Sequence, residues 1–211
     1  MSPARAKKAP PPRRYDSSRR ARQAAQTRAD IVLAAGKVFR ESGWSGATLA
    51  AIAREAGVAV ETIYSGFGSK SGVLKAAFDA AIVGDADPVR LVDRPEFDRL
   101  GRGGRDERLG AALDMMADSY ERSAGVWRAV LEAAARDDAL DAWRSETDLR
   151  RRVDTKTAIE LVVGHPIDDV VFDALWVLTG PGAYLDLVVD AGRSRAEYQA
   201  CLREAILRLA A

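Results

Sequence analysis

Two short amphipathic runs separated by one glycine, TLAAIAREAGVAVETIYSGFGSK at residues 48–70, constrain this chain more than any other segment. Thr48 can serve as an N-cap, its hydroxyl accepting from the orphan N–H groups that open a helix. Leu49, Ile52, Ala53 and Ala56 follow at i, i+3, i+4 and i+7, the stripe of an amphipathic helix. Gly57 accepts a left-handed backbone without steric cost, so it can end this helix and turn sharply into the next. Val58 then plugs the angle between the two helices, and Ile63 returns to the same small core. Val60, Glu61, Thr62, Tyr64 and Ser65 are left largely outside. Such a pair matches a helix-turn-helix, whose second helix enters the major groove of DNA, although a helical hairpin with no partner has the same local pattern.

Three further features favour DNA. Ile31, Ala34, Ala35, Val38 and Phe39 form a supporting helical stripe that Ser42-Gly43 stops, which completes a three-helix head with Trp44 as a lid. The exposed side of the second helix suits a nucleic-acid surface. The Tyr64 hydroxyl can reach a phosphate, and Thr62 a phosphate or a base edge. Lys70 lies at the start of the following helix, where backbone N–H groups already favour an anion. Val60, Glu61, Thr62 and Ser65 are the candidates for reading bases.

The third feature is charge. The whole chain carries only +1, but residues 1–28 hold nine basic side chains and one acid. Residues 29–79 hold five of each sign, and residues 80–211 hold 18 basic and 25 acidic ones. A basic arm, a neutral head and an acidic body suit counterion-release binding at one end. The arm carries Pro3, Pro10, Pro11 and Pro12 without apolar periodicity, so a disordered segment is expected over 1–26. It lacks the apolar core of a secretory signal.

TRADIVLAAGKVFRESGWSGATLAAIAREAGVAVETIYSGFGSKSGVLKAAF, residues 27–78, resembles the N-terminal DNA-binding domain of the TetR family of bacterial transcriptional regulators. A helix ending in Phe, then T-x-x-x-I-A-x-x-A-G-V, then I-Y and F-x-S-K occur in the family's order and spacing. The resemblance implies that Thr48 touches phosphate, that Thr62 and Tyr64 contact DNA, and that Lys70 holds a phosphate. Three positions depart from it. Ala59 replaces a usual Ser or Thr cap, a loss of about 1 kcal/mol. Gly66 and Gly68 stand where the family often has an aromatic or polar residue and a proline, so a short recognition helix is expected.

Beyond residue 80 helical periodicity dominates, and the expected fold is all-α: a helix-turn-helix head over 27–79 joined to a helical ligand-binding and dimerisation domain over 80–211. Residues 84–106, with GRGGR at 101–105, read as a flexible connection carrying one short helix. Helices are predicted over 106–123, 125–135, 138–151, 153–163, 167–179, 181–190 and 194–210. The run from Val170 to Leu178 is apolar nearly all round and must be covered on two sides, one by its own domain core and the other by a second subunit. The alternative is a monomer whose core buries all of this surface. Tyr198, Cys201, Leu202, Ala205, Ile206 and Leu209 form a broad apolar stripe in which Cys201 is a packed, inert thiol. The resemblance implies that these last helices build a two-fold homodimer, which suits a palindromic operator in double-stranded DNA. It also implies a pocket for a small-molecule effector, and Met115, Met116, Tyr120, Trp127, Trp143 and Trp176 are the candidate walls.

No stretch of 18 uncharged apolar residues occurs, so no membrane span is expected. The single cysteine excludes an internal disulfide and suits a cytoplasmic location. An enzyme finds no support: the one histidine, His165, precedes a proline, Glu55 and Glu61 lack catalytic partners, and GRGGR lacks phosphate-loop spacing. No cofactor or metal is expected. The reading is a transcriptional regulator, a repressor released from its operator by a ligand; the alternative is a sequence-tolerant architectural DNA binder.

Overall fold

A computed structural model describes residues 17–87 and 89–210, and among them there is no β-strand. Helix α1 (Ser17–Gly46) lies across α2 (Leu49–Ala56) and α4 (Lys70–Val83), with α3 (Val60–Phe67) between the latter two. Gly43 has φ 64°, so the regular part of α1 stops at the predicted Ser42-Gly43 signal. Ile31, Ala35, Phe39, Ile52, Ile63, Val73 and Leu74 close the small core of this head. Trp44 stacks on Phe39 with ring centroids 6.1 Å apart, the lid its loop position suggested.

The body is built around α6 (Arg105–Ala134), which packs on α1, α4 and α7 (Asp138–Val163). After α7 come α8 (Asp169–Leu178), α9 (Pro181–Tyr184), a π-helical continuation over Leu185–Asp190, and α10 (Arg195–Leu209). Four sequence expectations change. Neither α6 nor α7 is broken. At the expected gap in α6, Gly125 lets α1 approach: a Cβ there would sit 2.8 Å from Arg40 Cγ. At the expected gap in α7, Arg151, Arg152 and Val153 contain no helix breaker.

Residues 84–106 also hold more structure than one short helix. A 3-10 turn at Leu91–Asp93, α5 (Pro95–Asp98) and a second 3-10 turn at Arg99–Gly101 are pinned by buried Phe97 and Leu100. Arg94 donates to both Asp85 carboxylate oxygens, at 2.6 and 2.8 Å. The supposed disordered arm is helical wherever it is described. Residues 17–26 are the first turns of α1, because this stretch is rich in Arg, Ala and Gln, good helix formers, and its proline-rich beginning lies outside the described residues. Cys201, finally, is exposed. The rest of the chain covers α10 on one side only, burying Tyr198, Leu202 and Ile206, while Cys201 and Leu209 fall outside that narrower stripe.

Asp169–Asp190 reaches the length and mean hydropathy, 1.2, of a membrane-spanning helix. Asp173 and Asp186 interrupt it, Gly180-Pro181 breaks it, and 39% of its most apolar window is buried in the fold.

The close crossing at Gly125 has a measurable consequence. A mid-helix glycine costs about 0.5–1 kcal/mol against alanine. Gly110 also lies in α6, but a Cβ added there would meet nothing within 4 Å, so Gly110→Ala is expected to raise the melting temperature. Gly125→Ala is expected to lower it, since the methyl group must displace Arg40 and part α1 from α6. Thermal melts of the two variants check this, and an equal gain for both would contradict the crossing.

Candidate nucleic-acid interface and ligand cavity

The turn between α2 and α3 forms as its residues dictate. The Thr48 hydroxyl accepts from Ala51 N–H at 3.1 Å, capping α2. Gly57 ends that helix at φ 68°, ψ 30°, and Val58 N–H bonds the Ala53 carbonyl at 3.0 Å. Ile52 and Ile63 are fully buried, and their packing fixes the angle of α3. Ala59 makes no side-chain cap, and α3 is eight residues long, ending at Gly68 with φ 74°. The recognition helix is short, as the departures at 59 and 68 suggested.

Glu61, Thr62, Tyr64 and Ser65 are exposed along α3, Tyr64 to 56%. Val60 is half-buried against the core, which leaves it less able to read a base than its neighbours. Thr48 is exposed, its hydroxyl accepting from Ala51 N–H. Lys70 is not a free surface cation. Its ammonium donates to the Trp44 carbonyl and lies 4.2 Å from the centre of the indole ring. Partial burial holds its pKa below the ordinary lysine value.

Several residues that hold this interface escaped the sequence reading. Arg28 on α1 donates to the Gly66 carbonyl at 3.1 Å and lies 4.2 Å over the Phe67 ring, tying α1 to the end of α3. Arg20, Gln23 and Thr27 flank a groove whose other wall is Thr62, Ser65 and Gly66, so the first turns of α1 run beside the recognition helix. Gly72 permits the tight α3–α4 junction: a Cβ there would meet the Phe67 carbonyl oxygen at 2.1 Å. Glu132, on α6, accepts from Trp44 N–H at 2.8 Å, Ser45 N–H at 3.2 Å and the Ser45 hydroxyl, clamping head to body. Glu55 makes a surface ion pair with Lys37 at 2.7 Å. Glycine and single-charge signals of this kind become meaningful only once two distant segments meet.

In the body, a cavity of about 510 Å³ opens among α4, α6, α7 and the 84–97 connection. Met115, Met116, Tyr120 and Trp127 line it, as expected. Trp143 and Trp176 do not. Trp143 packs edge-on against Phe78, with centroids 6.0 Å apart, and Trp176 is covered by the Arg151 guanidinium at 3.6 Å. Both lie one side chain behind the wall, on helix faces that periodicity alone could not distinguish. Tyr120 donates to the Thr179 carbonyl at 2.6 Å, and burial raises its phenol. Most charged groups around the cavity are matched. Asp85 holds Arg94, Asp154 holds Arg90 at 2.7 Å, and Asp148 holds Arg144 at 3.0 Å and Arg151 at 3.5 Å.

A compact three-helix head with an exposed second turn-helix, mounted on a helical body with an internal cavity, is the build of a helix-turn-helix DNA-binding regulator. The family profile "Bacterial regulatory proteins, tetR family" matches residues 31–77. Solved structures extend the likeness to most of the chain. One, described as a TetR-family transcriptional regulator from Mesorhizobium loti MAFF303099, superposes with a TM-score of 0.66 at 18% identity, covering 89% of this chain and 96% of that one. A transcriptional regulator from Rhodococcus sp. RHA1 gives 0.62 at 21% identity, covering 85% and 94%. NalD, the secondary repressor of the MexAB-OprM multidrug efflux pump in Pseudomonas aeruginosa, gives 0.52 at 22% identity, covering 89% and 96%. No curated protein matches the sequence. Residues 31–77 thus match the tetR-family regulatory domain, and the chain has the fold of solved TetR-family transcriptional regulators.

The head–body clamp should respond to acid. The Ser45 hydroxyl and the Trp44 and Ser45 amides stabilise the charged form of Glu132, so its pKa lies below the ordinary 4.5. A carboxylate lowered on folding contributes stability above its unfolded value and loses it as pH falls through the folded one. Glu132→Gln is therefore expected to melt below the parent at neutral pH, with the gap closing as pH falls below about 4.5. Thermal melts across that range check it; a gap of constant size would count against the clamp.

Proposed function

We propose that this protein is a homodimeric repressor that sets two copies of α3 into successive major grooves of a palindromic operator and leaves it when a small molecule enters the body cavity. The observation that carries this reading is the exposed row Glu61, Thr62, Tyr64 and Ser65 on α3, lying beside the basic first turns of α1. Tyr64, Thr48 and Lys70 supply phosphate contacts that fix register, and Glu61, Thr62 and Ser65 face the bases. Lys70 has three N–H donors and spends one on Trp44, so two remain for a phosphate. Arg19, Arg20 and Arg22 extend the same basic edge, which suits an arm that grips the DNA backbone.

Uncovered apolar surface supports the dimer. Val170 and Val177, seven residues apart on one face of α8, are 78% and 69% exposed. A face of this kind asks for a partner, and a second copy of the chain gives the two-fold symmetry that a palindrome requires. NalD is described as a repressor, and the likeness to it favours repression over activation here. A DNA target and a single cysteine favour a cytoplasmic location.

Selection of bound sequences from random DNA with the full chain is expected to return a two-fold symmetric site; a return of unrelated sequences would leave the architectural reading instead. Tyr64→Ala, exposed and outside the core, is expected to weaken binding to that site about tenfold or more without shifting the melting temperature, read by mobility shift. Val177→Asp is expected to convert the dimer to monomer in sedimentation and to weaken DNA binding with it.

A further inference from the structure

One carboxylate of the inner cavity wall has no arginine paired to it. Asp79 projects from the middle of α4 into the cavity, and among the described residues this carboxylate has no hydrogen bond and no ion pair. The other acids of the inner wall, Asp148 and Asp154, are each matched to an arginine, and Asp87 sits at the exposed rim. Arg150 pulls on Asp79 electrostatically, yet it bonds Thr147 at 3.1 Å and approaches Glu146 at 3.8 Å instead. Asp79 is an exposed residue, as Asp87 is, while the protein around it removes part of its hydration and raises its carboxyl above the ordinary aspartate value.

A carboxylate that has lost part of its hydration and lacks a paired arginine favours a cation beside it. We infer that the cavity takes an apolar organic monocation, a protonated amine or amidine, whose charge is met by Asp79 and whose body fills the space between Tyr120, Trp127 and the two methionines. The volume of about 510 Å³ is that of a small-molecule site. Trp127 and Tyr120 offer aromatic faces, which attract a cation as well as an apolar body. Met115 and Met116 supply flexible thioethers that adapt to the ligand's outline. An anionic ligand would meet Asp79 with like charge; Arg151, whose Nε and Nη1 make no hydrogen bond, is held over Trp176 and within 3.5 Å of Asp148. This inference rests on the effector reading above and names its chemical class.

Three probes sharing one apolar cage decide it: adamantan-1-amine, adamantan-1-ol and adamantane-1-carboxylate, titrated calorimetrically into the full chain at neutral pH. The ammonium compound is expected to bind at least about tenfold more tightly than either of the others. Asp79→Asn is expected to erase that preference while leaving the alcohol's affinity within about twofold. Equal affinity for the three, preference for the carboxylate, no binding by any, or a preference that survives in Asp79→Asn would each overturn the inference. Should the variant fail to fold, the ranking on the parent protein decides alone. Mobility shifts on the selected DNA separate the two readings. Cation binding that leaves the DNA complex intact would sink the effector role but not the site, whereas DNA binding with no cation preference would sink the site but not the regulator.

Discussion

Helix α4 is held at its two ends by different parts of the molecule, and the placement of the recognition helix depends on both grips. At its start, the missing side chain of Gly72 lets the helix press against the Phe67 carbonyl, while the Ser69 hydroxyl accepts from Gly72 N–H at 3.1 Å. At its end, Arg122 of α6 donates to the Ala81 and Ile82 carbonyls at 3.1 and 3.0 Å, groups that a helix terminus otherwise leaves unpaired. One end of a 14-residue helix therefore belongs to the head and the other to the body. Glu132 makes a second join, reaching from α6 to the Trp44–Ser45 loop, and α1 crosses α6 at Gly125. The head is not an appendage on a linker but one end of a continuous packed unit.

The head was legible in the sequence because its signals are local. Thr48, Gly57 and the stripe of Ile52 and Ile63 act within a few residues of one another, and each formed the cap, turn or core contact that its chemistry dictates. Even the weakness at Ala59 could be read, since a missing cap is a property of one side chain. Where two distant segments had to meet, the sequence misled. The gap expected next to Gly125 is instead a helix crossing, because the residue that needs the space, Arg40, lies 85 positions earlier. Lys70 looks like a surface cation and is committed to Trp44. Cys201 looks like core because periodicity gives a stripe's direction but not its width.

The cavity shows the same limit from the other side. Four of its six expected wall residues line it, because large and flexible apolar side chains on a central helix tend to face whatever space the core leaves. Trp143 and Trp176 share that composition and stand behind the wall, held by Phe78 and Arg151. The most informative cavity residue is an aspartate. It was invisible in sequence because its meaning is the absence of a partner. A helix carrying Lys-Ser-Gly-Val-Leu-Lys-Ala-Ala-Phe-Asp gives no hint that the last of these lacks a countercharge, since several arginines lie within reach in the chain.

That absence also bears on how the two ends of the molecule could communicate. Asp79 lies nine residues after Lys70, about 13 Å along the helix axis. A rigid helix clamped at both ends transmits displacement rather than absorbing it, so a group that binds near its middle must either fit the existing spacing or strain both grips. The head-side grip contains a backbone contact with no room to compress. The body-side grip is a long arginine side chain that can follow a shift of the helix end. Strain introduced at Asp79 would therefore be relieved at the Arg122 end, while the α3–α4 junction moves as a piece. The difference in stiffness between the two grips, set by a glycine at one end and an arginine at the other, makes the body-side end of α4 the yielding one and keeps α3 fixed to α4.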